Sequence, residues 1–458
     1  MATAAPSVLA SGYHFGAQSV GSQSTSNAST AEASDASTIF YNPAGLTHLE
    51  KSEITVGANI VAPSLKYKNA SATYYNSTTA APGATSGTLA DGLTLAPHVY
   101  GAYKLNDKVT LGFGAYVPYG SETEYDTDSV LRYNLNKTTL KTFAFEPVVA
   151  YKFNEHHSFA VGAIAQYTTA ELRKYSDWGT ANRNYGGSGY DASAAACAQA
   201  GAAANCWDGH AVAKGHDWGF GYQLAWMWDI NERSRIGMNY RSKIEHKLKG
   251  TADWTADGTL AQAYYSSLIT GRGYVPNEKV SLNIMTPESF SVQGMYKATP
   301  KWNLFGDITW TRHSRFNTVE LIFENTKNVA NGQSNKTVMK PNWKNTYKFA
   351  VGASYQYSDP LQLRFGVAYD QSPVRDSVMR LSTLPDNDRI WFSFGAKYDI
   401  NRKHTLRGAY SYIHIKSSSV ANSDNSQGGT TVDSGVLAKA DFKSHAQIFG
   451  LQYTYRFD

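Results

Sequence analysis

Long apolar runs are absent from this sequence of 458 residues. A membrane-spanning helix needs roughly 20 consecutive apolar residues, and no such run occurs between Met1 and Asp458. Helical insertion into a membrane is therefore excluded. Charged residues are also few, at 17%, and the hydrophobic fraction is only 42%. A closed sheet can span a membrane with this composition, because only every second residue of each strand needs to be apolar.

Cysteine is nearly absent as well, with Cys197 and Cys206 close together in a polar, alanine-rich stretch. We expect them to form one disulfide in an exported protein, with two free thiols as the alternative. No second cysteine or histidine pair stands nearby at ligand spacing, so we expect no metal site. The net charge of +5 is spread along the chain and therefore indicates no nucleic-acid partner.

Catalytic motifs are lacking too. The sequence contains no G-x-S-x-G nucleophile turn, no phosphate-binding G-x-x-x-x-G-K and no zinc-binding H-E-x-x-H. We therefore expect a protein that is not an enzyme and has no cofactor. We interpret the adjacent His156 and His157 as polar residues of a turn rather than as metal ligands.

Aromatic residues and alternating segments are plentiful, with 31 tyrosines and 10 tryptophans. Apolar side chains occupy every second position in residues 361–370, 390–400 and 451–458. One face of such a strand suits lipid and the other suits water. Aromatic residues at the strand ends are typical of the two membrane interfaces.

Connection lengths favour a membrane barrel over a soluble sandwich. Six tight turns fall at residues 106–107, 154–155, 231–232, 299–300, 359–360 and 401–402. Seven long polar connections lie near residues 68–92, 121–137, 176–215, 250–280, 323–340, 372–387 and 416–440. We therefore predict an all-β, 14-stranded antiparallel transmembrane β-barrel over residues 52–458, with short turns facing the periplasm. Residues 191–207 and 260–269 are candidate helices within the long loops.

The first 51 residues do not fit the barrel pattern. Residues 1–10 end in Val8-Leu9-Ala10, typical of a signal-peptide cleavage site. We interpret them as a signal-peptide remnant or an added leader, with an ordinary N-terminus as the alternative. Residues 11–51 are rich in Ser, Thr, Ala and Asn. They could form a periplasmic tail or a plug inside the barrel.

Residues 38–45, Thr-Ile-Phe-Tyr-Asn-Pro-Ala-Gly, carry a more specific signal. This run resembles the Asn-Pro-Ala motif in the N-terminal hatch of the FadL family of outer-membrane long-chain fatty acid transporters. Residues 217–221, 239–242, 370–374 and 385–389 resemble further segments of that family, in the same order. The resemblance implies a Gram-negative outer-membrane barrel with residues 11–51 as its hatch. A hydrophobic ligand would land in an outer groove, enter an inner pocket and leave through a gap in the wall.

The resemblance also implies site residues. The hatch motif comprises Asn42, Pro43, Ala44 and Gly45. Basic residues for a fatty acid carboxylate are Lys174, its neighbour Arg173, and Lys344. Apolar pocket residues are Tyr13, Ala170, Leu172 and Val117, the last standing where a better-known member has serine. The wall gap falls at Pro118, Tyr119 and Gly120, where proline lacks an N–H and glycine weakens strand pairing. Solvated rim lysines and an ordinary strand end at Pro118 are the alternatives.

Several functions stay open at this point. Uptake of long-chain fatty acids is the first hypothesis, and uptake of aromatic hydrocarbons, known in related branches of the family, is the second. A surface adhesin or phage receptor and a barrel hydrolase are further alternatives. The expected partners are a hydrophobic small molecule and outer-membrane lipid, and we expect a monomer.

Overall fold

The computed structural model describes residues 13–74, 80–179, 194–199, 201, 205–329, 332–423 and 436–458. Its strands are β1 (Glu53–Tyr74), β2 (Gly87–Ala90), β3 (Thr94–Lys104), β4 (Val109–Tyr116), β5 (Gly120–Glu124), β6 (Lys137–Lys152), β7 (His157–Asp177), β8 (Asp208–Asn231), β9 (Ser234–Arg241), β10 (Ile244–Trp254), β11 (Glu278–Thr286), β12 (Ser289–Lys297), β13 (Trp302–Thr311), β14 (Val319–Val329), β15 (Gly332–Met339), β16 (Thr346–Gln356), β17 (Leu361–Asp370), β18 (Arg389–Asp399), β19 (His404–Ser423) and β20 (Val436–Arg456).

Helices are short and lie outside the wall. They comprise Val20–Gln23, Ala28–Ala31, Thr38–Tyr41, Pro43–His48, Val130–Tyr133, Ala194–Gln199, Thr259–Ala263, Tyr265–Ile269, Thr270–Arg272 and His313–Arg315. The predicted helix at 260–269 is therefore present as two short turns of helix, and the predicted helix at 191–207 is present over 194–199, with part of its range outside the described residues. No helix in the described ranges is long and apolar enough to cross a membrane.

The strands close into a barrel with fourteen staves, as predicted, where a stave is one wall position formed by a single strand or by two collinear strands. Each stave pairs antiparallel with the next, and β20 closes the barrel on β1, with Glu53 opposite Arg456. Five staves are interrupted and consist of two collinear strands each: β4 with β5, β9 with β10, β12 with β11, β13 with β14, and β16 with β15. Short β2 adds to the outer end of β1.

Side chains alternate between lipid and the barrel interior. In β17, Phe365, Val367 and Tyr369 are 40–46% exposed, whereas Arg364 and Ala368, at the alternate positions, are buried. The apolar set faces out because lipid cannot satisfy polar groups, and the polar or small set faces in. The alternation predicted for residues 361–370, 390–400 and 451–458 is confirmed.

The six tight turns are confirmed, and the opposite end of the barrel differs from the prediction. Six of the seven predicted long loops overlap strands. Strand β1 continues to Tyr74, β7 to Asp177, β10 to Trp254 and β19 to Ser423, β5 lies within the predicted loop at 121–137, and the predicted loop at 323–340 consists mostly of the paired strands β14 and β15. Backbone pairing continues beyond the membrane, where water no longer requires an apolar residue at every second position. The alternation that marks a strand in the sequence is lost there.

Candidate functional site

Residues 13–49, called the N-terminal segment here, lie inside the barrel. All of them are buried or half-buried. Hydrogen bonds join the segment to inward-facing residues on several sides of the wall: Asn59 in β1, Tyr100 in β3, Gln223 in β8, Gln293 in β12, Asp307 in β13, Arg364 in β17 and Gln452 in β20. Inward-facing polar residues on many sides of the barrel are therefore hydrogen-bonded to this segment.

Asn42 fixes the centre of the segment. Its side-chain oxygen accepts a hydrogen bond from the Ala44 amide at 3.2 Å, which caps the short helix that Pro43 begins. Its side-chain nitrogen donates to Gln293 Oε1 at 2.9 Å. Glycine is needed at position 45, because a Cβ there would lie 2.6 Å from the Cβ of Ala33. Asn42 of the Asn-Pro-Ala-Gly run thus both caps the short helix and bonds the segment to Gln293 of the barrel wall.

Two buried ion pairs hold other parts of the segment. Arg407 of β19 lies 2.5 Å from the Asp35 carboxylate, and both side chains are nearly inaccessible. Burial by itself raises the pKa of the Asp35 carboxyl, but the Arg407 guanidinium and hydrogen bonds from Ser37 outweigh burial and lower the pKa. Arg364 pairs with Glu32 at 2.7 Å. Removing either arginine would leave a buried carboxylate without its cation.

The third stave is broken at Val117, Pro118 and Tyr119. β4 pairs with β3 only from Val99 to Lys104, and β5 pairs with β6 on its other side. Residues 94–98 of β3 pair with β1 along one edge. Along the other edge, which faces the third stave, they have no ladder partner among the described strands. The wall is therefore interrupted between the second and third staves.

The N-terminal segment covers this break from inside. The Phe15 amide donates to the Pro118 carbonyl at 2.8 Å, and the Gly120 amide donates to the Tyr13 carbonyl at 3.0 Å. His14 and Tyr119 form the bridge between these two bonds. Beyond the break, Gly120 resumes the ladder with β6 opposite Lys141. The ladder with β6 is therefore interrupted only at Val117–Tyr119, where proline offers no N–H, whereas β5 has no pairing with β3 among the described residues.

An apolar cluster, called the Tyr13 cluster here, lies beside the break. It contains Tyr13, Trp343, Val374, Leu381 and Leu384, with Tyr119, Leu140 and Phe316 packed against it. The rings of Tyr13 and Trp343 stack with centroids 5.5 Å apart. Leu140 of β6 connects this cluster to residues nearer the outer end of the barrel, because it lies opposite Ala170 of the neighbouring strand β7.

Ala170 and Leu172 line a small apolar groove with residues from four other strands: Ala213, Lys214, Gly215, Leu248, Val280, Leu282 and Leu321. Lys174 lies on the same strand two residues beyond Leu172, and successive odd or even residues share a face. The apolar groove, Leu140 and the Tyr13 cluster thus form an apolar path. This path ends at the break in the wall.

A polar cavity of about 80 Å³ lies on the inner side of the Tyr13 cluster, with room for a few water molecules. His14, Asp307, His313, Lys348 and Trp391 are among its lining residues. The Lys348 ammonium lies 4.4 Å from the centre of the Trp391 ring, and no hydrogen bond or ion pair joins it to another described residue. The His313 ring packs edge-on against Trp343 of the Tyr13 cluster, which places apolar and cationic surfaces side by side.

Comparison with known proteins identifies this arrangement. The family model described as outer membrane protein transport protein (OMPP1/FadL/TodX) matches residues 1–457. The chain belongs to this FadL family. It is therefore an outer-membrane transporter of hydrophobic compounds and not an enzyme, as the sequence predicted.

This FadL-family chain is similar in sequence to two relatives and in structure to two solved proteins. An outer membrane protein of Neisseria meningitidis serogroup B is 55% identical over 458 residues, covering 100% of this chain and 97% of the relative. The long-chain fatty acid transport protein of Escherichia coli K12 is 25% identical, covering 84% and 83%. A FadL homologue from Pseudomonas aeruginosa superposes with a TM-score of 0.83 at 22% identity, covering 98% and 100%. The Pseudomonas putida toluene transporter TodX gives 0.62 at 15%, covering 92% and 94%. The two structures share the fold.

The predicted basic residues fall in different surroundings in this FadL-family barrel. Lys174 shares the strand face of Ala170 and Leu172. Arg173 lies on the opposite face, where its guanidinium bonds to Asn136 at 2.6 Å and pairs with Glu124. Lys344 is exposed in the connection between β15 and β16. Sequence reasoning missed Lys348, four residues further on, although its place between apolar residues of a strand was a usable signal.

The predicted apolar residues do not form one pocket. Ala170 and Leu172 line the groove, Tyr13 belongs to its own cluster, and Leu140 links the two. Val117 is buried at the break, where its carbonyl accepts a hydrogen bond from the Gln18 side chain at 2.6 Å. No pattern along the chain singles out Leu140, because its role depends on its partner across the sheet.

Cys197 and Cys206 are joined in a disulfide, with their Cα atoms 5.8 Å apart. Both are buried in a cluster with Trp178, Trp207 and Trp254 above the apolar groove. The disulfide therefore closes a small ring within the connection between β7 and β8, and the packing of this cluster holds the connection against the sheet that forms the groove.

Replacing Gly45 by alanine is expected to weaken the docking of the N-terminal segment by about 1–3 kcal/mol. The added Cβ would meet Ala33 and Thr38 at 2.6 Å. The rate of chymotrypsin cleavage within the segment of the folded protein measures this effect. Gly92→Ala is the matched control, because a Cβ at Gly92 meets nothing within 4 Å. Equal cleavage of both variants would contradict the tight packing at Gly45.

Proposed function

We propose that this transporter takes up long-chain fatty acids and releases them sideways through the break at Val117–Tyr119. The observation that carries the proposal is the interrupted pairing of the third stave, covered from inside by Tyr13, His14 and Phe15. Residues 11–51 act as the hatch, and residues 52–458 form the barrel. The fatty acid transport protein of Escherichia coli, a relative in the same family, supports this substrate class.

The physical chemistry of the solute favours a sideways exit. A fatty acid tail in a wet passage stays hydrated, whereas each methylene that enters lipid or an apolar site gains about 0.8 kcal/mol. The apolar groove, Leu140 and the Tyr13 cluster would shelter the tail on its way to the wall. The polar interior, filled by the N-terminal segment, offers the tail no comparable route. We infer that the substrate moves from the groove to the cluster and then through the break.

The carboxylate requires cations along this route, since a buried charge without a partner is costly. Lys174 beside the groove is suited to the first contact. Lys348, next to the Tyr13 cluster and without an anionic partner within hydrogen-bond distance, is suited to the inner position. Arg173 and Lys344 have no role in this route. Arg173 is bonded to Asn136 on the opposite face of β7, and Lys344 is exposed.

Aromatic hydrocarbons are the second candidate. Tyr13, Tyr119, Phe316 and Trp343 form an aromatic group whose ring centroids lie 4.6–5.7 Å apart where they contact Tyr13 or Trp343. Flat aromatic guests pack well in such surroundings. A hydrocarbon, however, has no use for a buried ammonium, so the two substrates differ in their dependence on Lys348.

Replacing Lys348 by methionine is expected to weaken oleate binding about tenfold or more and to leave toluene binding unchanged, because only the carboxylate needs the ammonium. Lys344→Gln is the matched control on the same stave and should leave both ligands unaffected. Lys174→Gln should lower oleate uptake mainly at low concentration. Equilibrium binding of radiolabelled oleate and toluene measures these effects. Tight toluene binding with no specific oleate binding to the wild type would favour the hydrocarbon function.

A further inference from the structure

Three lysines stand together on the lipid-facing side of the barrel, near its outer end and away from the transport route. They are Lys66 of β1, Lys443 of β20 and Lys416 of β19, called the lysine patch here. All three are exposed. Lys66 lies directly opposite Lys443 across the β1–β20 pair. Lys416 follows Ile415, the partner of Ser444, and stands at a bulge beside Lys443.

Like charges directly opposite each other destabilise a sheet. Within the described residues, no ion pair or hydrogen bond joins any of the three ammonium groups to another residue. Asp441, two residues beyond Lys443, lies opposite Lys68 and accepts a hydrogen bond from Asn69 at 2.9 Å. The lysine patch is therefore a concentration of positive charge that the described part of the chain does not neutralise.

Three lysines on another part of the outer rim are neutralised by carboxylates. Lys137 pairs with Glu124 at 3.2 Å and with Glu171 at 3.6 Å, and Lys214 pairs with the same Glu171 at 3.4 Å. Lys141 pairs with Glu122 at 3.5 Å. These three lysines have carboxylate partners within 4 Å, whereas the three lysines of the patch have none among the described residues.

The height of the lysine patch points to its partner. Outward-facing residues of β20 are Tyr455, Tyr453, Leu451 and Phe449, followed by the polar Gln447 and His445 and then by Lys443. A spanning strand uses about 9–11 residues, so the hydrocarbon ends near His445 and the patch lies at the level of the lipid head groups. On β19, His414 faces His445 in the same zone.

We propose that the lysine patch binds the phosphate groups of a phosphorylated glycolipid in the outer leaflet of the outer membrane. Three ammonium groups supply charge-assisted hydrogen bonds to phosphate oxygens, and the apolar staves below them receive the acyl chains. His414, His445 and Thr88, opposite Lys66 on β2, add polar contacts around the head group. The site rests on the orientation that places the short turns in the periplasm.

The test uses the full chain in detergent with purified lipopolysaccharide as the probe. Replacing Lys66, Lys416 and Lys443 together by glutamine should raise the apparent Kd for the lipid about tenfold or more. Lys137, Lys141 and Lys214 replaced together by glutamine form the control, with the same change in net charge. Heat-modified migration on gels verifies that both variants are folded barrels.

Two further probes separate the sources of phosphate. Lipopolysaccharide with its phosphates removed should bind the wild type as weakly as the intact lipid binds the patch variant. Inorganic phosphate should not displace the lipid at millimolar concentration. Equal affinity of the wild type and the patch variant for intact lipid would overturn the proposal. Equal binding of the dephosphorylated lipid, or displacement by inorganic phosphate alone, would overturn it as well.

Discussion

A disulfide between positions 14 and 119 is expected to stop fatty acid uptake while the barrel stays folded. His14 and Tyr119 form a bridge flanked by the Phe15–Pro118 and Gly120–Tyr13 hydrogen bonds, so their Cα atoms are about 4.5 Å apart. That separation suits a disulfide. The variant His14→Cys with Tyr119→Cys should fix the N-terminal segment across the break. Uptake of radiolabelled oleate by cells should fall about tenfold or more after oxidation, because the tail loses its exit into lipid, where each methylene gains about 0.8 kcal/mol.

Reduction should restore uptake, and this reversal separates the lock from damage to the site. The wild type under the same reductant is a necessary control, since the Cys197–Cys206 disulfide is reduced as well. His14→Cys alone should behave alike with and without oxidant. If the oxidised double variant takes up oleate as fast as the reduced one, sideways release at Val117–Tyr119 is wrong.

Removal of the Arg407 guanidinium is expected to release the N-terminal segment from the wall. Arg407→Ala leaves the buried Asp35 carboxylate without its cation, which costs about 3–5 kcal/mol. The population with an undocked segment should therefore rise by a factor on the order of a hundred or more. Chymotrypsin cleavage near Phe40 and Tyr41 measures this population, and conductance in planar bilayers reports the opened interior.

The double variant Asp35→Asn with Arg407→Ala is the control, because it removes the stranded charge together with its partner. Cleavage of the double variant should be slower than that of Arg407→Ala. Heat-modified migration of the barrel should stay the same in both, since the fourteen staves pair without Asp35. A single variant as resistant as the wild type would contradict the role of this ion pair in docking.

Position along the chain did not decide which lysine faces the interior. Lys344 and Lys348 belong to the same stave, yet the connection before β16 leaves Lys344 exposed, while the regular strand turns Lys348 toward Trp391. Arg173 and Lys174 are neighbours, yet they lie on opposite faces of β7. A shift of one residue in a strand reverses the face, so motif matching alone assigns such side chains poorly.

The amino-acid sequence by itself determined the barrel and its fourteen staves. Backbone groups in lipid must pair within a closed sheet, so alternation at 361–370 or 451–458 and the tight turns between strands are visible along the chain. The motif at 42–45, together with the segments at 217–221, 239–242, 370–374 and 385–389, indicated the family as well. Only the tertiary structure decided that Leu140 links groove and cluster, that Tyr13–Phe15 cover the break, and that Lys66 meets Lys443. These pairs are far apart in sequence, and their contact depends on strand register and barrel closure, which no local pattern encodes.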